Sequence, residues 1–184
     1  NIHKIGYENN FTIYDQQDSK SVVKSIINDM NLDVKQYDPK TFQGKISNAK
    51  NSMLEPEYFK NSAETFIDEK FYAIYENYQN RLKKNNSVDF DDLLVLPLKI
   101  FSKYPECLDY YQKKYQYILV DEYQDTNKPQ FEFIYSLGNT HKDIFVVGDD
   151  DQSIYGWRGA DISNILNFKE AFGESKIIKL EQNY

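Results

Sequence analysis

Two stretches of this sequence place acids directly behind apolar runs. Residues 117–120, "YILV", lead into Asp121 and Glu122, with Gln124 and Asp125 close behind. Residues 144–147, "IFVV", lead through Gly148 into Asp149 and Asp150, and Gln152 follows. Adjacent carboxylates repel one another and resist losing water, so a metal ion, a nearby cation or plain exposure must compensate them. A metal–nucleotide complex is one such partner. One acid at the end of a hydrophobic strand can position Mg²⁺ across the β- and γ-phosphates. A second, one residue on, points the other way and can polarise a water for in-line attack. Mg²⁺ suits this sparse arrangement because it keeps several waters and takes only one or two protein carboxylates. Gln152 could then hydrogen-bond a phosphate oxygen or the attacking water. The spacing is equally compatible with solvated loop acids and with a nuclease that gathers acids around two metals.

The apolar runs must be strands for this chemistry to work. "YQYILVDE" and "DIFVVGD" are short, continuous and rich in Ile and Val, and "KIIKLEQ" reads as a third. Helical patterns lie between them. Thr126 or Asn127 caps one with Pro129 in its first turn, and Asp161 opens another that Gly173 stops. Strands buried on both faces and alternating with helices predict a parallel α/β sheet, and ligands bind such sheets outside the carboxyl ends of the strands. The residues before Val88 read differently, with no strand among them. Val22, Val23, Ile26, Ile27 and Met30 repeat at helical spacing from Ser19 to Met30, with Asp18 or Ser19 as N-cap. A weaker helix covers Lys40 to Ser52. One long helix carries the stripe Phe59, Ala63, Ile67, Phe71, Ile74, Tyr78 and Leu82, which reads as core packing. "VDFDDLLVLPLKIFSKYP" begins a further helix with Asp89 as N-cap, and Pro97 either kinks it or begins a new turn.

The loop after the second acid run carries a different signal. In "SIYGWRGAD", Trp157 and Arg158 sit between Gly156 and Gly159 with Tyr155 just before them, and Trp157 is the single tryptophan. Aromatic faces beside an arginine suit stacking on unpaired bases, on the order of 1–3 kcal/mol per base. The alternative is that Trp157 packs against its own helix and Arg158 pairs with Asp161.

Composition narrows the setting. The 184 residues carry a net charge of −7, with 16 Tyr and 12 Phe. Residues 1–88 are balanced at 12 basic and 12 acidic side chains, whereas residues 89–184 carry 10 and 17. A uniformly basic nucleic-acid module is thereby excluded, although a local phosphate-binding patch is not. One cysteine, Cys107, with only His3 and His141 beside it, rules out an internal disulfide and the usual zinc sites. That suits a reducing, cytoplasmic setting. No apolar run approaches the roughly 20 residues that span a bilayer, and there is no signal peptide. A first residue other than Met and an abrupt stop at Tyr184 suggest an excised piece of a longer chain.

Taken together, these stretches resemble the superfamily 1 DNA helicases of the UvrD/Rep type. "DEYQDTN" resembles their motif II, a Walker B variant. "GDDDQSIYGWRGAD" resembles motif III, and "LEQNY" resembles the start of motif IV. "VDFDDLL" is similar to the segment that leads into motif II. The resemblance covers roughly residues 88–184. It implies that Asp121 holds Mg²⁺, that Glu122 activates the attacking water, and that Gln152 senses the γ-phosphate of ATP. It implies further that Tyr155 and Trp157 stack on single-stranded bases with Arg158 in support, and that Tyr184 stacks on adenine. Gln124 and Asp125 take a supporting role. The fold expected is a partial RecA-like parallel sheet flanked by helices, plus an all-helical inserted domain. Residues 1–14 would end a preceding RecA-like segment or act as a linker. Residues 15–88 would form the helical domain called 1B, and residues 89–184 part of the RecA-like domain 1A. The activity implied is ATP-dependent translocation on single-stranded DNA, 3′→5′, with unwinding of duplex DNA. The phosphate-cradling G-x-x-x-x-G-K-[ST] loop does not occur in the 184 residues, so this piece is expected to be inactive alone. The rival readings are a metal-dependent nuclease and a non-catalytic single-strand-binding module. A saturable quench of Trp157 fluorescence on adding an oligonucleotide is the expected signature of stacking. An unchanged signal leaves the loop as packing or a protein contact.

Overall fold

In the computed structural model, which describes residues 1–152, 156 and 160–179, the acid-bearing strands are held by a small α/β unit and a helical unit packs beside it. The helical unit begins at α1 (Gln16–Asp29). Its N-cap is Asp15, upstream of the expected Asp18 or Ser19, because Asp15 and Asp18 cap one another's backbone N–H groups. Next comes α2 (Pro39–Asn51), which starts on the Asp38 carboxylate. The single long helix expected next is two, α3 (Pro56–Asn61) and α4 (Phe66–Lys84). Thr65 and Asp68 form a second reciprocal cap that restarts the helix, a local bond pattern that outweighs the continuous apolar stripe. Ile67, in the new first turn, is consequently exposed. Further along α4, Phe71, Ile74, Tyr78 and Leu82 are buried against Val23, Ile26 and Ile27 of α1 and Phe42 and Ile46 of α2.

Two parallel strand pairs form the α/β unit. β1 (Thr12–Tyr14) pairs with β2 (Ser87–Asp89), so a strand does precede Val88. Three residues are too few to show a strand period in the sequence. β3 (Ile118–Val120) pairs with β4 (Ile144–Val146), with Leu119 opposite Phe145. α5 (Asp92–Lys103) and α6 (Pro105–Lys114) connect β2 to β3, and α7 (Lys128–Gly138) connects β3 to β4. Pro97 lies inside α5 without ending it. Ile100 and Phe101 of α5 pack on Cys107 and Leu137, with Ile118 and Phe133 at the margin. The N-terminal residues Ile2, Ile5, Tyr7 and Phe11 pack on Val88 and Leu96, so this segment joins the α/β unit. After β4 come α8 (Ser163–Leu166) and α9 (Phe168–Phe172), separated at Asn167 and stopped at Gly173, whose φ of 88° a residue with a side chain rarely adopts. The third strand expected at "KIIKLEQ" is not formed over residues 176–179. These residues have no regular structure, and Ile177 and Ile178 are exposed. The rest of that run lies outside the described residues. A partial α/β fold with parallel strands beside a helical unit is therefore what the chain builds.

One buried ionic cluster joins the two units. Lys50, on the last turn of α2, is 2% exposed. Its Nζ donates to Asp89 Oδ2 at 2.7 Å and to Asp92 Oδ1 at 2.8 Å. Tyr78 of α4 also donates to Asp89, at 2.9 Å. Asp89 was expected to cap the helix that follows. It lies in β2, and the helix starts after Asp91, but the capping chemistry survives, since Asp89 and Asp92 accept one another's backbone N–H groups. Burial alone would raise the Asp89 carboxyl. The Lys50 charge and hydrogen bond, with the backbone N–H of Asp92 and the Tyr78 hydroxyl, overcome burial and hold it below the usual range. Asp92 lies above that range, pushed up first by burial and then by the charge of Asp89, against the pull of Lys50.

Removing the cation strands two buried carboxylates. Lys50→Ala is expected to destabilise the chain by about 3–5 kcal/mol in urea denaturation at neutral pH. Without Lys50 both carboxyls move above their unfolded values, so the native state takes up protons first as pH falls. The variant should then regain stability on acidification from neutral pH toward the carboxylate range. In the unaltered chain the gain should be smaller, because it comes from Asp92 alone while Asp89 opposes it.

Candidate nucleotide site at the strand ends

Beyond β3 and β4 the two chains stay paired for one more step. Val147 N–H donates to Val120 O at 2.8 Å, and Tyr123 N–H donates to Val147 O at 2.9 Å. Asp121–Glu122 and Gly148–Asp149 therefore leave the ribbon side by side, at its carboxyl end. The backbone turns sharply there. Glu122 adopts φ 51° and ψ 41°, the left-handed region that non-glycine residues seldom occupy. Such a conformation costs about 1–3 kcal/mol and is characteristic of functional sites. It leads into a single 3-10 turn, Tyr123–Asp125, whose amides fold back onto Glu122 O and Tyr123 O.

That turn is seated in the fold by its side chains. Tyr123 is fully buried edge-on to Phe168, at 5.8 Å between ring centroids. Burial pushes its phenol up to about 12. Gln124 is 1% exposed, and its amide is used at both ends. Its Nε2 donates to Glu122 Oε2 at 2.7 Å, and its Oε1 accepts the Asp149 N–H at 3.1 Å. Asp149 in turn accepts from Gln152 Nε2 at 2.6 Å and from the Asp151 N–H at 3.0 Å. A continuous chain of hydrogen bonds thus runs Glu122–Gln124–Asp149–Gln152 across the two strand ends. The close approach requires glycine at 148. A Cβ there would lie 2.6 Å from Gln124 Oε1 and 2.8 Å from Ile165 Cδ1.

Asp121, Glu122 and Gln152 of the sequence-derived site are thus brought to one edge, with Asp121 and Glu122 exposed to solvent. Tyr155, Trp157, Arg158 and Tyr184 lie outside the described residues. Sequence reasoning gave Gln124 a supporting part and missed that it is the tie between the strands. The available signal was a glutamine two residues behind a strand-end acid, where an amide can reach both ways. One oxygen of Asp125 is buried with no hydrogen-bond partner among the described residues. The donor set fits magnesium in its usual mode. Hard carboxylate oxygens stand at a solvent-open edge, and among the described residues no group of three His, Cys, Asp or Glu forms a closed cage. Water and phosphate oxygens would complete the coordination.

The profile of the UvrD/REP helicase N-terminal domain matches residues 1–173. The chain belongs to the UvrD/REP helicase family. Among curated relatives, the ATP-dependent DNA helicase PcrA of Staphylococcus epidermidis is 50% identical over 181 residues, 98% of this chain and 25% of the relative. PcrA of Bacillus subtilis is 48% identical over 183 residues, and PcrA of Staphylococcus aureus is 48% identical over 181 residues. The chain spans about a quarter of the length of these relatives. Among its described residues no helix is long and apolar enough to cross a membrane.

The strand-end geometry of this UvrD/REP chain predicts a strict requirement at position 148. Gly148→Ala should lower stability by about 1–3 kcal/mol in chemical denaturation, the usual effect of forcing an extra methyl into a packed site. It should also displace the Gln124 amide, visible as loss of amide-exchange protection at Asp149.

Proposed function

We propose that this chain is the part of an ATP-dependent DNA helicase that carries the water-activating and phosphate-sensing side of its nucleotide site. The observation that supports this most directly is the Gln124 bridge, which sets Glu122 and Gln152 at the two ends of one hydrogen-bond chain. In this reading Asp121 would hold Mg²⁺ through a carboxylate that also accepts the Glu122 N–H at 3.0 Å. Magnesium, when bound with the nucleotide, supplies neutralisation of charge on the β- and γ-phosphates. Glu122 accepts the proton of the attacking water, and the Gln124 amide fixes the carboxylate for that transfer. Gln152, held by Asp149, hydrogen-bonds the γ-phosphate and changes partners when that phosphate leaves. Tyr155, Trp157 and Arg158 follow it directly in sequence, so a shift at Gln152 reaches a loop suited to stacking on single-stranded bases. Tyr184 is assigned to the adenine ring.

The wider division of labour follows the same resemblance. Residues 15–88 serve as the 1B-like helical domain and residues 89–184 as part of the RecA-like domain 1A, with residues 1–14 ending a preceding RecA-like segment. The full-length protein moves 3′→5′ on single-stranded DNA and unwinds duplex DNA in the cytoplasm. The chain alone, without a phosphate-cradling loop in its 184 residues, is inactive.

Two measurements test the assignment together. The isolated chain should show no DNA-stimulated ATP hydrolysis, and the full-length parent should show it. Glu122→Gln in the parent should abolish turnover, a loss of about 10²-fold or more for a positioned general base, while nucleotide binding is retained. Normal turnover in that variant would remove Glu122 from the role.

A further inference from the structure

The end of α2 touches the N-cap of α7, two residues beyond the acid turn. Asn51 follows the buried Lys50, and its Nδ2 donates to Asp91 Oδ1 at 3.0 Å and to Ser47 O at 2.9 Å. Those two bonds fix the amide plane and turn Oδ1 toward Asn127, whose Nδ2 donates to it at 2.7 Å across 76 residues of sequence. Asn127 is also the N-cap of α7, and its Oδ1 accepts the Gln130 N–H at 3.0 Å. Its amide is therefore shared between the helix it starts and the helical unit. Next to it, Thr126 donates its hydroxyl to Tyr123 O at 2.8 Å, inside the turn that follows Asp121 and Glu122. Thr126 O accepts from the Asp161 N–H and from Asn164 Nδ2, both at 3.0 Å.

We infer that Asn51 is a positioning residue for nucleotide hydrolysis, which ties the helical unit, through Asn127 and Thr126, to the turn that aims Glu122. The inference rests on the reading of Glu122 given above. Lys50 supplies the anchor: it pins the last turn of α2 to β2 and α5, so that the neighbouring amide meets Asn127 in one orientation. The opposite face of α2, with Phe42, Ile46 and Ala49, is locked in the core of the helical unit. Any rotation of that unit against the α/β unit must therefore either stretch the Asn51–Asn127 bond or carry the acid turn with it. With the Lys50 cluster setting how the helical unit sits, this amide pair couples that orientation to Glu122 placement.

The test uses the full-length parent and three variants: Asn51→Ala, Asn127→Ser and the double substitution. Serine keeps the helix cap but is too short to reach Asn51. Each single variant should lower kcat of DNA-stimulated ATP hydrolysis on the order of tenfold, the lower end of what loss of an outer-shell partner does. KM for ATP should stay within about twofold, because the contact acts on the transition state rather than on nucleotide binding. The double variant should be no slower than either single one. A merely structural contact would lower stability and leave kcat unchanged in the folded enzyme. Unchanged kcat in Asn51→Ala, or a normal Asn127→Ser beside a slow Asn51→Ala, overturns the inference. If the unaltered parent shows no ATP hydrolysis, the functional reading itself fails. The junction is then judged by hydrogen exchange at the Asp125 and Thr126 amides: faster exchange in Asn51→Ala sustains it, and unchanged exchange overturns it.

Discussion

A single buried amide organises the working edge of this chain. Gln124 has no access to water, so both ends of its side chain must find partners inside the protein, and a primary amide left unpaired there would cost about 1–3 kcal/mol. It satisfies them with Glu122 on one strand end and the backbone of Asp149 on the other. The same requirement explains the glycine at 148 and the left-handed backbone at Glu122. The first makes room for the amide. The second turns the carboxylate back toward it. Two strands of three residues each would be a weak frame, and the bridge reinforces the backbone pairing that continues past Val120 and Val146 to the acids.

The junction between the units applies the same logic with charge. Lys50 sits in surroundings that would penalise an isolated ammonium severely, and Asp89, Asp92 and Tyr78 compensate it. Such a cluster adds little net stability over a well-packed apolar one, but it tolerates only one arrangement, because sliding α2 by a turn would leave three charges unpaired. Specific registry of the helical unit on the α/β unit is its physical product. Peripheral ties such as Lys99 to Glu55, at 2.8 Å and largely exposed, contribute much less.

How much of this could be read from the residues depends on the range of the forces involved. The apolar runs before Asp121 and Asp149 announced the parallel ribbon, and Thr126 or Asn127 as cap with Pro129 in the first turn marked α7, which starts on Asn127. Periodicity misled where a local cap interrupted it: the Phe59–Leu82 stripe is continuous on paper, yet Thr65 and Asp68 divide the helix. β1 and β2 were invisible because a strand of three residues carries no pattern of its own, only a partner far along the chain. The expected strand at "KIIKLEQ" had composition in its favour, but its described part has no neighbouring strand to pair with. At the site, residue types gave the acids, whereas the Gln124 bridge and the Asn51–Asn127 contact depend on tertiary proximity that spacing does not encode. The Lys50 cluster depends on the same kind of proximity, since Asp89 and Asp92 lie 39 and 42 residues further along the chain.

The ribbon formed by β3 and β4 has a further property. Leu119 is 76% exposed and Phe145, its register partner, 57% exposed, so one side of a parallel sheet is open to water. Parallel sheets are normally covered on both sides. A bare pair of this kind is adhesive: in solution it will seek another apolar surface, whether a chaperone, a vessel wall or a second molecule. Colloidal behaviour of the isolated polypeptide therefore depends in part on this register pair, alongside other exposed apolar side chains such as Leu166 and Ile177, and polar residues at 119 and 145 are one rational route to a tractable sample.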